Sequence, residues 1–565
     1  MRVLGLSGHF HDAAAALVAD GALVAAAQEE RFSRRKHDPS TPLRAAAFCL
    51  AHAGLRAEDL DAVVWFEKPL LKLERVLLTS LATWPRGATS FRRAAVSMFG
   101  DRIWVRNELT RRLGVRPERV QFAAHHASHA AGAFGCSPFA EAAVLCVDGV
   151  GEWATTSLWR GRPGALEPLG ELHFPHSLGL LYSVFTAFLG FEVNEGEYKV
   201  MGLAAHGQPT RRAEVDRLLQ PTADGGFTLD MRFFQFDRHP ETAWSPAFEA
   251  LFGAPRAPGA PVEPRHADIA ASIQQRTEEA LLALARAAHA RTGSRFLCLA
   301  GGVALNAVAI GRLIEEGPFE DVFVLPPAGD AGSAIGAALL GAGLPAVGLP
   351  TVALGEGIDV DAARTFFKDG GVPFQDCGEG GIAEAVAARL ARGEVVGWMQ
   401  GRFEMGPRAL GQRSILAAAT DAAMKDRLNA KVKFRESFRP FAPSVLAAHS
   451  PTLFDCPAAG AHTRRFMTST VRARGGVAGS PVPAALHVDG TARVQEVHAD
   501  ALPLYASLLS AVGAHTGHPC VVNTSFNLAG EPIVSTPADG WATFLRSGID
   551  ALAVGPLLIT REPPA

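Results

Sequence analysis

The sequence predicts an α/β protein with at least two domains, and three features carry that prediction. Apolar, strand-like runs alternate with amphipathic helical stretches along most of the chain. Several of these runs end in glycine-rich turns: AVLCVD before Gly149 and Gly151, FLCLA before Gly301 and Gly302, and DVFVLP before the loop around Asp330. The length of 565 residues also exceeds what one core of roughly 100–200 residues supports. Between 341 and 359 the sequence GAGLPAVGLPTVALGEGID is dense in Gly and Pro and lacks periodicity, so it reads as a linker. Domains are therefore expected over 1–350 and 360–565.

The elements follow in order. The chain opens on strand VLGLSG and a loop carrying His9 and His11. Asp20-Gly21, set between two apolar runs, signals a hairpin. From about 40 to 119 the pattern reads as helical, with an Arg-rich, solvated stretch over 86–119. A long helix is predicted over about 266–291, with Ile269, Ile273, Ala280 and Leu284 near one face and Gly293 as its C-cap. A second strand-and-helix segment runs from about 360 to the end, and no internal repeat is visible.

Composition narrows the function classes. Hydrophobic residues make up 48% and charged residues 20%, a globular balance. Lys plus Arg is 54 against 57 Asp plus Glu, so the net charge of -3 excludes nucleic-acid binding through bulk charge. No run approaches the ~18 apolar residues of a membrane span, and the N-terminal segment lacks the apolar core of a signal peptide. The seven Cys are scattered, with no CxxC, as suits reduced thiols rather than disulfides or a zinc ribbon. The expectation is a cytoplasmic protein with no membrane and no nucleic-acid partner.

Three motif groups carry chemistry. In His125-His126-Ala-Ser-His129, a helix would put His125 and His129 on one face, at the spacing that lets two imidazoles chelate one metal. Asp148 and Asp330 each follow a strand where a carboxylate can face a ligand; two His and two Asp suit Fe(II), Mn or Zn. On spacing alone, solvent-facing or capping histidines are the competing reading. The second group is Gly301-Gly302-Val-Ala-Leu-Asn306, a strand-to-helix turn through which backbone N–H groups can approach an anion. A Walker loop is absent. The third is basic: within 408–439, eight cations (Arg408, Arg413, Lys425, Arg427, Lys431, Lys433, Arg435, Arg439) face Asp421, Asp426 and Glu436, a net of +5 in a chain of net -3. Arg and Lys interleaved with Gly, Pro and aromatic residues suit phosphates. His487-Val-Asp489-Gly-Thr-Ala-Arg493 and Asn523-Thr-Ser525-Phe-Asn527 extend this group, the latter at the end of an apolar strand.

The segments QEERFSRRKHD, HHASHA, GEYKVMGLAAHG, LAGGVALNA, QGRFEMGPRALGQRSIL, VKFRESFRPFAPSVL, HVDGTARVQ and NTSFNLAGEPIVSTP together resemble the NodU/CmcH-type O-carbamoyltransferases. That family includes nodulation-factor, cephamycin and tobramycin carbamoyltransferases. The resemblance covers nearly the whole chain, in order. It implies an N-terminal actin/Hsp70-like (ASKHA) domain related to threonylcarbamoyl transferases, and a C-terminal YrdC-like α/β domain. It implies two steps: carbamoyl-adenylate formation from ATP (with Mg2+) and carbamoyl phosphate in the C-terminal domain, then transfer to a hydroxyl of a small-molecule acceptor in the N-terminal domain.

Matched residue by residue, the resemblance makes His125, His129, Asp148 and Asp330 metal ligands, with iron(II) the expected ion. Arg408, Lys433, Arg439, Arg493, Asn523 and Ser525 become nucleotide and carbamoyl phosphate contacts. Asp148, Ser177, Leu178, Gly179 and Asn306 fall near the carbamoyl-adenylate in the transfer site, and His11 and Lys36 near the acceptor and carbamoyl group. His11, Lys36, Lys433 and Arg493 are the expected catalytic residues. No motif places the general base for the acceptor hydroxyl; Asp230 or Asp237 is the candidate. The acceptor pocket is expected from about 40–119 and 210–260, where Phe227, Phe233, Phe234 and Phe236 either line an apolar pocket or form ordinary core.

Other readings make different demands. A tRNA threonylcarbamoylation enzyme would share both folds, but the chain is net acidic. Hydrogenase-maturation carbamoyl transferases carry CxxC zinc fingers, absent from this sequence. A catalytically silent nucleotide sensor has no need to keep the His125, His129, Asp148, Asp330, Lys433 and Arg493 set.

Overall fold

A computed structural model describes residues 1–100, 102–239, 241–433 and 435–561. Positions 101, 240, 434 and 562–565 lie outside the described residues; they touch the expected 40–119 helical region, the basic 408–439 segment and the end of the C-terminal domain. The chain forms two compact units. One comprises Met1–Val24 and Pro39–Gly348; the other comprises Ala25–Asp38 and the chain from Leu349 onward.

The N-terminal part of the chain contains two five-stranded sheets. In the first the spatial order is Ala22–Gln28, Ala14–Ala19, Arg2–Ser7, Ala62–Trp65, Val120–Phe122. In the second it is Ala165–His173, Ala154–Arg162, Ala142–Val147, Phe296–Ala300, Asp321–Val324. Numbered within each sheet, both orders are third-second-first-fourth-fifth. In both, the second strand lies antiparallel to the first, and the fourth and fifth join in parallel. This duplicated order is that of the actin/Hsp70-like fold. The duplication is invisible as a sequence repeat because strand order constrains only which residues are apolar. Asp20 (φ 51°) and Gly21 (φ 81°) form the expected hairpin turn, with left-handed backbone at both central positions.

Within 40–119 the helices are Leu43–His52, Pro69–Ala82, Ala88–Gly100 and Val105–Leu113. The wholly helical reading is corrected by Ala62–Trp65, a strand buried at all four positions. AVVW is too short to show a period, and burial on both faces of a parallel sheet removes alternation. The long helix spans Pro264–Thr292, buries Ile269, Ile273, Ala280 and Leu284, and ends at Gly293 with φ 63°. It matches the predicted element, with ends shifted by one or two residues.

In the second unit an eight-stranded mixed sheet runs in the order Gln375–Asp376, Leu557–Thr560, Ala551–Val554, Val396–Met399, Arg413–Ala418, Cys520–Ser525, Ala442–Leu446, Gln495–Val497. Helices Gly378–Ala391 and Pro503–Thr516 place Ile382, Val386, Leu390, Leu508, Leu509 and Val512 around buried Trp398. A second cluster gathers Ile415, Val522, Leu552, Phe441, Phe526 and Phe544.

Residues 342–359 form neither helix nor strand beyond an isolated bridge from Gly357 to Arg402. They are not a free tether. Leu349, Val352 and Leu354 are buried, and the Arg402 Nε–H donates to the Gly355 carbonyl at 2.8 Å. Residues up to Gly348 belong to the first unit, and apolar residues between the glycines and prolines dock 349–359 in the second. The Ala25–Asp38 segment is fastened there too. Arg31, 1% exposed, donates to the Gly406 carbonyl at 3.1 Å. Arg34 donates to the carbonyls of Ile533 and Pro532 at 2.7 and 3.0 Å, and the Ser535 hydroxyl donates to the Arg31 carbonyl at 2.8 Å. Among the described residues, no helix is long and apolar enough to cross a membrane. The cysteines are free thiols, five of them buried.

Candidate active site

The metal motif is assembled by two helices and two strand ends of the first unit. His125 begins helix His125–Gly135, one turn before His129. Asp148 follows strand Ala142–Val147, and Asp330 opens helix Asp330–Gly341. The His125 Nε2 lies 3.1 Å from the His129 Nε2 and 3.1 Å from the Asp148 Oδ2. Asp330 Oδ1 is 3.6 Å from both imidazoles, and the His129 Nε2 is 3.7 Å from the Asp148 Oδ2. One donor atom from each of the four lies within 4.8 Å of all the others. Two imidazole nitrogens and two carboxylate oxygens at these separations fit one shared cation with bonds of about 2.0–2.2 Å. A mixed N/O set of this kind suits iron(II), manganese or zinc.

Without a cation the site holds itself together by charge. The His129 ring is buried, which alone would lower its pKa, but Asp148 and Asp330 raise it to about 9. Burial works against the ionised Asp148 and Asp330, yet the two histidines hold both carboxyls below the ordinary range. His126, between the ligands in sequence, points elsewhere: its Nδ1 is 2.8 Å from the Ser157 hydroxyl, and burial beside His125 lowers its pKa to about 3. His11 faces the ligand carboxylates. Its burial would lower its pKa, but Asp12, 3.1 Å away, together with Asp330 and Asp148 raises it to about 9.

Residues the motif reading missed hold this arrangement. The Glu152 carboxylate accepts from the backbone N–H of His125 at 3.0 Å and of Lys68 at 2.8 Å, and so stabilises the N-terminus of the histidine helix. Its sequence signal is only its closeness to Asp148 in DGVGEW. The Ser333 hydroxyl lies 3.2 Å from the His129 Nδ1 and fixes that ring's orientation. The two ligand-bearing helices cross at glycines: a Cβ on Gly336 would stand 1.7 Å from the Ser128 carbonyl oxygen, beside His129. Gly336→Ala is therefore expected to destabilise the fold by about 1–3 kcal/mol and to lower metal content. Thermal unfolding and metal analysis of the purified variant check this; unchanged values in both would refute the tight crossing.

The second group gathers in the second unit. Lys433 is 5% exposed, and its Nζ donates to the Ser525 hydroxyl at 3.2 Å and to the Asn527 carbonyl and Oδ1 at 3.0 and 2.9 Å. Burial, then Arg435, Arg439 and Lys36, hold its pKa well below 10.5. Arg493 is lowered by burial and by Arg408, Arg435 and Arg439. Its Nε is buried without a partner among the described residues. Glu404 braces the loop that carries Arg408, one carboxylate oxygen accepting the N–H groups of Leu410, Gln412 and Arg413 at 2.7, 2.9 and 3.3 Å. Arg435 and Asn527, named above within their motifs but given no contact, join this group. Both sit inside motifs quoted above, but nothing in their spacing separates them from solvated residues. A concentration of cations around a buried, unpartnered guanidinium nitrogen fits a phosphorylated ligand.

The sequence model for the Carbamoyltransferase N-terminus matches residues 2–339, and that for the Carbamoyltransferase C-terminus matches 387–561. The chain belongs to the carbamoyltransferase family. It is a transferase, and carbamoyl transfer is its chemistry. Among its relatives, an uncharacterized protein of Synechocystis sp. is 44% identical over 98% of this chain and 95% of that protein. Nodulation protein NolNO of Sinorhizobium fredii is 37% identical over 98% of this chain and 79% of its own. Among solved structures, HypF of T. kodakarensis aligns with 61% of this chain and 48% of that one, at 16% identity and a TM-score of 0.31.

Within this carbamoyltransferase, several expected contacts have other neighbours. The Ser177 hydroxyl caps helix Leu178–Phe188 and donates to the carbonyls of Asp148 and Gly149 at 3.1 and 2.6 Å. A Cβ on Gly179 would stand 2.6 Å from the Asp148 carbonyl oxygen. The Ser177-Leu178-Gly179 turn thus sets the loop that presents Asp148. Asn306 caps helix Ala307–Glu316 and pairs its amide reciprocally with Gln274 at 2.9 and 3.0 Å. The Asn523 amide donates to Ala409, Ser444 and Gln495 in the core, leaving its Oδ1 unpartnered. Lys36 belongs to the second unit, where its charge acts on Lys433. Phe227, Phe233 and Phe234 are buried core; Phe236 is half-buried against Phe174.

Proposed function

We propose that this carbamoyltransferase forms carbamoyl-adenylate in its C-terminal, YrdC-like unit and passes the carbamoyl group to the hydroxyl of a small-molecule alcohol in its N-terminal unit. The observation that carries the proposal is Arg493, whose buried Nε has no partner among the described residues and whose strongest charged neighbours are Arg408, Arg435 and Arg439. A buried guanidinium nitrogen with no partner, set among further cations, is accounted for by a polyphosphate that accepts from it.

In the first step carbamoyl phosphate is hydrolysed to carbamate and phosphate. A carbamate oxygen attacks the α-phosphorus of ATP, the bond to the bridging oxygen breaks, and pyrophosphate leaves. Arg408, Arg439 and Arg493 offset the repulsion between the two anions. Lys433, fixed by Ser525 and Asn527, presents a localised charge; Lys36 adds another. In the second step the acceptor oxygen attacks the carbamoyl carbon, its proton passes to a base, and AMP leaves. His125, His129, Asp148 and Asp330 would hold a divalent cation, which we assign as iron(II), and it would supply Lewis acidity toward the adenylate phosphate. His11, paired with Asp12 at 3.1 Å, supplies a further polar contact toward the carbamoyl group.

For the base we favour Asp237 over Asp230. Asp230 is spent on Arg232, which donates to both its oxygens and lowers its pKa. Burial raises the pKa of Asp237 despite Arg238, 3.2 Å away, and a more basic carboxylate accepts a proton better. Asp237→Asn should reduce transfer roughly 100-fold or more, while Asp230→Asn stays near wild type; the reverse ranking in a carbamoylation assay would exclude Asp237. The decisive experiment incubates the protein with ATP, Mg2+, carbamoyl phosphate and Fe(II), without acceptor, and reads the products by mass spectrometry. Carbamoyl-adenylate with pyrophosphate is the expected result; intact ATP with both ligands bound would overturn the donor reaction.

A further inference from the structure

Helix Pro69–Ala82 carries a guanidinium that the fold itself does not use. Arg75 makes no hydrogen bond with a described residue, and its Nε is buried and unpartnered. The carboxylates closest to it in effect are Glu67 and Glu152, and both are engaged. Glu67 takes the Lys72 ammonium at 2.6 Å; Glu152 takes the N–H groups of His125 and Lys68. What Arg75 does touch is aromatic: its guanidinium stands 5.3 Å over the Phe174 ring. Burial lowers its pKa to about 10 against the pull of the two carboxylates, so it stays charged at neutral pH.

The surroundings tie this arginine to the transfer site. The Phe174 N–H donates at 2.9 Å to the carbonyl of Trp153, next to the glutamate that caps the histidine helix. Phe174 also meets Phe236, ring centres 6.1 Å apart, and Phe236 adjoins Asp237 in sequence. On the other side Lys72 stands 5.8 Å over Phe10, which is 52% exposed and meets the His11 ring at a tilt, centres 4.6 Å apart. Two aromatic faces, each under a cation, thus connect by contact to His11 on one side and to Phe236, beside the proposed base, on the other.

We propose that Arg75, over Phe174, forms an acceptor subsite that selects an alcohol bearing an oxyanion, a carboxylate or a phosphate, on a ring-shaped or apolar body. The proposal rests on the carbamoyl-transfer reading above and names its substrate class. A planar guanidinium fork recognises either oxyanion in a bidentate manner, and Phe174 offers the body a flat apolar surface. Arg75 is half-buried, its Nε is wholly buried, and no described residue accepts from it.

The test is ligand-observed saturation-transfer NMR on the full chain with glucose, glucuronate and glucose 6-phosphate at millimolar concentration. Working in an Arg493→Ala background removes binding at the other cationic group. Expected is binding of one or both anionic sugars but not glucose, weakened at least tenfold by Arg75→Gln, about 1.4 kcal/mol. Arg75→Lys, a charge without the fork, should fall between. Whichever anionic sugar binds more tightly distinguishes a carboxylate source from a phosphate one. The proposal is overturned if glucose binds as well as its charged analogues, if Arg75→Gln leaves their binding unchanged, or if none of the three binds. ATP–pyrophosphate exchange, measured with Arg493 intact, separates the causes: its absence from the wild type would sink the donor reading and leave the binding arms standing. If Arg75→Gln alone lost exchange through misfolding, Arg75→Lys would carry the same outcomes.

Discussion

His129→Ala should abolish carbamoyl transfer and leave ATP–pyrophosphate exchange within a few-fold of wild type. His129 is wholly buried, its Nε2 within 3.1–3.7 Å of the other three donors, and its ring is held from behind by Ser333. Changes merely behind a metal ligand typically cost 10–100-fold in affinity, so loss of the ligand itself should reduce metal from about one ion per chain to a trace. Metal analysis with both half-reactions on the same preparation checks this. Equal loss of exchange and transfer would mean that the variant misfolds or that one site performs both steps. The metal-free protein adds a pH signature. His129 has a folded pKa near 9, above the ordinary 6.5, so its proton stabilises the metal-free fold most fully below about pH 6.5. That contribution fades as pH rises through 9. Metal must displace the proton, so affinity should climb with pH over the same window; a pH-independent affinity would remove His129 from the ligand set.

Arg493→Ala should separate stability from activity in the opposite sense. The side chain makes no hydrogen bond in the described structure, and its strongest charged neighbours are cations, so its removal relieves repulsion and desolvation. The variant should melt at or above the wild-type temperature. Its pyrophosphate exchange should nonetheless fall by about 100–1,000-fold, the usual effect of removing one preorganised charge from a phosphoryl-transfer site. Lys433→Ala should lose exchange and stability together, because the Ser525 and Asn527 acceptors that face the ammonium lose a buried donor. Calorimetry and exchange assays on both variants check the contrast. Retained exchange in Arg493→Ala would place adenylate formation elsewhere.

Legibility in the sequence followed the range of the interaction. His125 and His129 were readable because four residues apart on a helix is a local geometric fact. Asp148 and Asp330 were readable because strand ends in α/β proteins face ligands. Glu152, Ser333 and Gly336 were not, since each acts through a partner distant in sequence, and no periodicity marks a capping carboxylate or a helix crossing. The charge excess over 408–439 pointed to the right region, but its hydrogen-bonded core at Lys433, Ser525 and Asn527 required strand pairing to bring the segments together. The phenylalanines near 227–236 illustrate the limit: core and pocket use the same residues, and only burial told Phe234 from Phe236.

The Ala25–Asp38 segment sets a schedule for the newborn chain. Arg31 and Gly406 are 375 residues apart, and Arg34 and Ile533 are 499 apart. At about 5–20 residues per second on the ribosome, Arg31 waits roughly 20–75 s for Gly406, and longer for the strand ends near Ile533. Until then, buried Arg31 and half-buried Arg34 lack the carbonyls that accept from them. The Ala25–Asp38 segment is made early and seated late, so a cut that releases residues 360 onward by themselves frees a body whose final piece went with the other fragment.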